Sequence, residues 1–150
     1  MKKLALITLL LSYTLPSLGE ANLPSNVIWG RYCGECIGNC STMREITNTT
    51  LKIDNSNNFL ISDPYKFNYE FKGVSESSGE HEKYKWILKN PIPSILSERT
   101  MIFGQPDAYD QCGYYLMYSV NSSQFKAIID TQKVPKELKP VIKKLFHETL

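Results

Sequence analysis

The run YYLMYSVNSSQFKAII occupies residues 114–129 and shows how the chain builds its sheet. Residues 114–120 are apolar and aromatic, and residues 125–129 form a second, mostly apolar stretch. Asn121-Ser122-Ser123 lies between them and has the composition of a turn. Two such stretches joined by a short polar turn are typical of a β-hairpin. The sequence therefore predicts two neighbouring antiparallel strands here.

Further strands are predicted on the N-terminal side of this hairpin. Val27-Ile28-Trp29 begins one strand, and a Thr-rich stretch over residues 42–53 suits one longer strand or a hairpin. Residues 65–72 alternate aromatic and polar side chains with strict period two, the best strand pattern in the chain. We expect the aromatic face of that strand to be buried. Its aromatic residues are Tyr65, Phe67, Tyr69 and Phe71.

Two helices are predicted by apolar spacing. Residues 81–89 place three apolar side chains on one face, and Pro91 stops this short helix. Residues 138–145 repeat the pattern near the C-terminus, where Pro140 either kinks the helix or starts it afresh. The element order predicts the α+β class, an antiparallel sheet with a short central helix and a C-terminal helix packed on one face. A sheet that closes into a small barrel is the other architecture that this element order allows.

The N-terminal segment has the pattern of a secretory signal peptide. Lys2 and Lys3 precede an apolar run over residues 4–15, and Pro16 breaks that run before several small residues. A membrane-spanning helix needs about 20 apolar residues, so this run is too short. We therefore expect a signal peptide over residues 1–21 and a single α+β domain over residues 22–150. The mature chain has no second long apolar run, so we expect no membrane span in it. The signal peptide predicts a periplasmic or extracellular location.

Composition argues against several functions. The 150 residues carry a net charge of +2, which falls to 0 without Lys2 and Lys3, or to +1 if Glu20 also leaves. Such a balance gives no reason to expect nucleic acid as a partner. The sequence has no nucleophile elbow, phosphate loop or paired metal-binding motif. We therefore predict no catalytic residue, metal or cofactor, and favour a protein that is not an enzyme.

Four cysteines carry most of the chemistry in the sequence. Cys33, Cys36 and Cys40 lie within eight residues, and Cys112 is far away. An exported chain meets an oxidising compartment, so all four are predicted to form disulfides, with three pairings possible. A bridge from the cluster to Cys112 would close a loop of over seventy residues. The chain-entropy model gives such a bridge about 4 kcal/mol.

Two alternatives use the same cysteines. Cys33-Gly34-Glu35-Cys36 follows an apolar strand start, as in thiol-disulfide oxidoreductases, so a periplasmic redox protein using Cys33 and Cys36 is one alternative. The βαβ pattern around that motif is missing. The other alternative is a zinc-stabilised domain, because four cysteines can supply a tetrahedral site. His81 and His147 could substitute as ligands.

Residues 28–40, IWGRYCGECIGNC, resemble the opening of a group of small exported bacterial proteins of unknown function. The shared pattern is Gly-x-Cys-x-Gly-x-Cys, here ending in Cys36 and Cys40. The group also has a Gly-Cys-Pro-Asp-Cys-like loop in its second half, but Gln105 and Ala108 stand at the two cysteine positions here. The resemblance implies a layout for most of the mature chain and no activity.

The absence of cysteine at positions 105 and 108 changes what the resemblance implies about metal binding and disulfide pairing. The lost pair weakens any metal site that the resemblance would imply. It is compatible with a different disulfide set, namely Cys33–Cys112 and Cys36–Cys40.

The sequence therefore predicts an exported, disulfide-stabilised binding or envelope-associated protein. Its partner would be an unknown protein or envelope component, and the sequence identifies no binding residue. Aromatic side chains could form a binding surface, although most aromatics in alternating strands belong to the core. The aromatics considered are Tyr65, Phe67, Tyr69, Phe71, Tyr114, Tyr115 and Tyr118.

Overall fold

A computed structural model describes residues 23–33, 37–56, 63, 65–72, 74–76, 79–106 and 112–147. The predicted signal peptide lies outside this part of the chain, as does Cys36. The described residues form a mixed sheet in the order β4-β3-β2-β1-β6-β7-β5. Its strands are β1 (Asn26–Cys33), β2 (Ser41–Thr47), β3 (Leu51–Ser56), β4 (Ser75–Glu76), β5 (Thr100–Phe103), β6 (Cys112–Val120) and β7 (Ser123–Asp130).

The predicted hairpin is confirmed and forms β6 and β7. Val120 pairs with Ser123, which leaves Asn121 and Ser122 as the turn. Asn121 has a φ of 52°, a left-handed conformation that Asn tolerates and that tight hairpin turns require. The Thr-rich stretch also folds as a hairpin, with β2 and β3 paired antiparallel.

The α+β class is confirmed, but the sheet is not wholly antiparallel. β5 runs parallel to β7, with Thr100 beside Lys126 and Phe103 beside Ile129. β7, the return strand of the hairpin, has β6 antiparallel on one side and β5 parallel on the other. This pairing joins segments that are far apart in sequence, so local strand patterns gave no indication of it.

The predicted strand over residues 65–72 is wrong, although its alternation is real. These residues form a turn followed by irregular backbone. Phe67, Tyr69 and Phe71 are half-buried against one face of the sheet, and the residues between them are exposed. The segment lies across the sheet face instead of pairing at an edge, so its period reflects burial without a ladder of backbone hydrogen bonds. We call residues 65–72 the aromatic segment.

The opposite face of the sheet shares a core with the helical residues. α1 (His81–Tyr84) continues into a 3₁₀ helix (Lys85–Lys89), and α2 (Lys139–Phe146) has Pro140 in its first turn. A proline there is tolerated because the first N–H groups of a helix have no partner inside it. No helix in the described part of the chain is long and apolar enough to cross a membrane. One buried cluster contains Val27, Trp29, Tyr84, Ile87, Leu116, Tyr118, Ile129, Leu138, Ile142 and Leu145.

Candidate functional site

A polar groove lies at the turn end of the β6–β7 hairpin, on the face that carries the aromatic segment. Its volume is about 590 Å³, within the usual range for small-molecule sites. Ser119, Gln124, Lys126 and Thr100 reach the same side because alternate residues of paired strands share a face. We call it the hairpin groove, lined by Tyr65, Asn68, Arg99, Thr100, Ser119, Asn121, Ser122, Ser123, Gln124 and Lys126.

Lys126 is the buried cation of this groove, with only 5% of its surface exposed. Its Nζ donates to the backbone carbonyl of Phe67 and, at 3.5 Å, to Oδ1 of Asn68. Burial lowers the pKa of Lys126, and the charge of the Asp63 carboxylate opposes that effect. No ion pair within the described residues includes Lys126. Its ammonium group therefore donates its hydrogen bonds to neutral oxygen acceptors.

Arg99 is the exposed cation of the groove. Its backbone carbonyl accepts a hydrogen bond of 2.9 Å from the N–H of Lys126, which fixes the start of β5 against β7. The ion pairs of the described chain do not include its guanidinium. The lining contains these two cations and no carboxylate side chain. The groove is therefore positively charged and rich in hydroxyl and amide groups.

A second groove of about 440 Å³ lies on the other side of the hairpin end. Pro91, Ile92, Pro93, Leu96 and Phe125 line it, so it is mainly apolar. We call it the proline groove. Asn121 and Ser123 border both grooves. The hairpin end thus presents a polar, cationic side and an apolar side.

The described cysteines form disulfides away from the hairpin groove. Cys33 is bonded to Cys112, its direct neighbour in the β1–β6 register, with the two Cα atoms 4.0 Å apart. Cys40 is also disulfide-bonded, and its predicted partner Cys36 lies outside the described residues. The redox alternative needs Cys33 paired with Cys36, whereas the structure has Cys33 paired with Cys112. No group of three or more potential metal ligands occurs among the described residues.

The predicted aromatic surface is mostly core. Tyr114 and Tyr118 belong to the cluster on the helical face, and Tyr115 belongs to the cluster beneath the aromatic segment. Tyr65 is the exception, since 69% of its surface is exposed and it lines the hairpin groove.

Sequence reasoning missed Arg99 and Lys126. Each is a single cation without a recognisable motif around it, and the groove brings together residues from distant segments. No protein-family model matches the chain, and neither a curated protein nor a solved structure matches it.

Proposed function

We propose that the protein is an exported, disulfide-stabilised binding protein without catalytic activity, and that its ligand site is the hairpin groove. The observation that carries the proposal is the groove itself, a polar concavity of about 590 Å³ with two cationic side chains. Small-molecule sites are typically concave and fix their ligands through a few well-placed polar groups. No catalytic role is assigned to any residue of the groove.

Rigid support favours this groove as a binding site. Its floor consists of β6, β7 and β5, which are joined by continuous backbone pairing. Lys126 ties the aromatic segment to this floor through the carbonyl of Phe67. Polar groups on paired strands keep their positions before a ligand arrives, so less ordering entropy is lost on binding.

Two observations support export. The N-terminal sequence has the pattern of a signal peptide over residues 1–21. The disulfide between Cys33 and Cys112 fits an oxidising compartment, since such bonds are rare in the cytosol.

The binding proposal is tested by heteronuclear NMR of the mature protein with a panel of small polar molecules. The panel contains glucose, glucuronate, glucose 6-phosphate, glutamate and inorganic phosphate. We expect at least one of them to shift the amide signals of residues 99–100 and 119–126. Gln124→Ala should weaken that binding, whereas Gln132→Ala, an exposed glutamine at the other end of β7, should leave it unchanged. A panel without any shift at these residues would overturn the binding proposal.

Export is tested separately by the intact mass of the protein recovered from the periplasm or medium. We expect a chain that lacks residues 1–21 and contains oxidised cysteines. A full-length chain that stays in the cytoplasm with free thiols would contradict export without bearing on the groove.

A further inference from the structure

We infer that the hairpin groove selects an acidic sugar, meaning a saccharide that carries an oxyanion as a carboxylate or phosphate group. This inference rests on the proposed binding function and deepens it by naming the ligand class. Three features of the groove support it, namely its unbalanced charge, its neutral hydrogen-bonding groups and its one exposed aromatic ring.

The unbalanced charge comes from Lys126. A buried cation is costly unless an opposite charge compensates it. The Nζ of Lys126 has the carbonyl of Phe67 and the side-chain oxygen of Asn68 as acceptors, which are dipoles without net charge. The Asp63 carboxylate acts on Lys126 from outside the lining and compensates its charge in part. An oxyanion in the groove would add negative charge beside Lys126 in a partly desolvated place, where electrostatic attraction is stronger than in water.

Arg99 provides the geometry for the oxyanion. A guanidinium presents its N–H donors as a planar fork that matches carboxylate and phosphate oxygens in pairs. The Arg99 side chain is exposed and lines the same groove as Lys126. The lining has no carboxylate side chain, and no ion pair among the described residues includes Arg99 or Lys126.

The remaining lining is suited to a sugar. Thr100, Asn121 and Gln124 offer hydroxyl and amide groups, which can both donate and accept hydrogen bonds with sugar hydroxyls. The exposed ring of Tyr65 offers a flat apolar surface for the C–H face of a sugar ring. An apolar ligand would leave these polar groups without partners, which costs binding energy. The volume is sufficient for one or two sugar rings.

The experiment compares five probes by NMR titration of the mature protein. Glucuronate and glucose 6-phosphate carry both the sugar and the charge, glucose carries the sugar only, and acetate and inorganic phosphate carry the charge only. We expect at least one acidic sugar to bind the groove about tenfold tighter than glucose and than either simple anion. Arg99→Gln should reduce its affinity to that of glucose.

Lys143→Gln is the matched control, because Lys143 is an exposed cation of α2 outside the groove. It should leave the affinity for every probe unchanged. If glucose binds the groove as tightly as the acidic sugars, the binding function stands and the acidic-sugar inference fails. If the simple anions bind as tightly as the acidic sugars, the sugar part fails. If no probe shifts the groove, the proposed function fails together with the inference.

Discussion

The contact between Tyr32 and Gly113 shows how one residue can decide local packing. The two residues are partners in the β1–β6 register, and the ring of Tyr32 is buried. A Cβ atom at position 113 would lie 2.6 Å from the Cζ and Oη atoms of that ring. A Cβ atom at position 113 would therefore force the buried Tyr32 ring to shift.

Gly113→Ala is therefore expected to destabilise the protein. Overpacking a well-packed core costs about 1–3 kcal/mol of the free energy of unfolding, and urea denaturation measures that change. Gly79→Ala is the control, because a Cβ atom there meets nothing within 4 Å. Equal stability of the two variants would contradict the close contact between Tyr32 and Gly113.

Two buried tyrosines give the stability a dependence on alkaline pH. Burial raises the pKa of Tyr115 to about 12, and burial also raises the pKa of Tyr118. An unfolded tyrosine ionises near pH ~10. Because the folded pKa values lie above the unfolded ones, the contribution of these side chains is complete below pH ~10 and is lost as the pH rises further.

Tyr118→Phe should remove one tyrosine's part of this alkaline loss. The free energy of unfolding of the variant should fall less steeply than that of the wild type, by about 1.4 kcal/mol per pH unit between pH ~10 and ~12. Urea denaturation at several pH values measures both slopes. The expectation fails if the two proteins lose stability equally in this range.

At the level of elements, the aromatic segment is held on the sheet by buried charged residues. The Asp54 carboxylate in β3 accepts hydrogen bonds from the Tyr69 hydroxyl at 2.8 Å and from the Lys72 N–H at 2.6 Å. Burial and this hydrogen bond raise the pKa of Tyr69. Lys126 in β7 donates to the carbonyl of Phe67. The segment thus stays in place by side-chain contacts, since backbone pairing with a strand is absent along residues 65–72.

Asp54→Ala should loosen the aromatic segment. Asp54 is a buried acceptor of two part-buried hydrogen bonds, and removing such an acceptor costs about 1–3 kcal/mol. Hydrogen exchange followed by mass spectrometry should show faster exchange over residues 65–72, with little change in β6 and β7. Asn55→Ala, an exposed position next to Asp54, should leave exchange in the segment as it is. Uniformly faster exchange throughout the sheet would contradict the local role of Asp54.

The strand and helix patterns show what sequence could and could not predict. The hairpin over residues 114–129 was predictable because its strands and turn are contiguous. In residues 65–72 the alternation predicted the buried side chains, but alternation by itself does not show whether a backbone pairs. The parallel β5–β7 pair was not predictable, because residues 100–103 and 126–129 have no shared local pattern.

At the scale of the described chain, separate clusters of buried residues lie on the two faces of the sheet, and the candidate site is formed by segments that are distant in sequence. The hairpin groove takes Tyr65 and Asn68 from the aromatic segment, Arg99 and Thr100 from the start of β5, and the rest from the hairpin end. No contributing segment contains a recognisable binding motif by itself. The cationic character of the groove therefore appears only after folding brings Arg99 and Lys126 together.

The Cys33–Cys112 disulfide should be a major source of global stability. It joins residues separated by 79 positions, and the chain-entropy model gives a closed loop of this size about 4 kcal/mol. The double variant Cys33→Ser, Cys112→Ser is expected to unfold at markedly lower urea concentration than the oxidised wild type. Reduced wild type should unfold at no higher urea concentration than the double variant. If the double variant loses less than about 1 kcal/mol of the free energy of unfolding, the pairing of β1 with β6 holds these strands together without the disulfide.

The same bond sets a path for mechanical force. Tension applied between the N-terminal side of β1 and α2 would pass from Cys33 directly to Cys112, because the covalent bond is shorter than the chain between them. The chain between the two cysteines, which are 79 positions apart, would not extend. Fully extended, it would span roughly 270 Å at about 3.4 Å per residue. The groove residues in β5 and in the aromatic segment lie between Cys33 and Cys112. Tension would therefore not unfold that side of the groove by extending these segments.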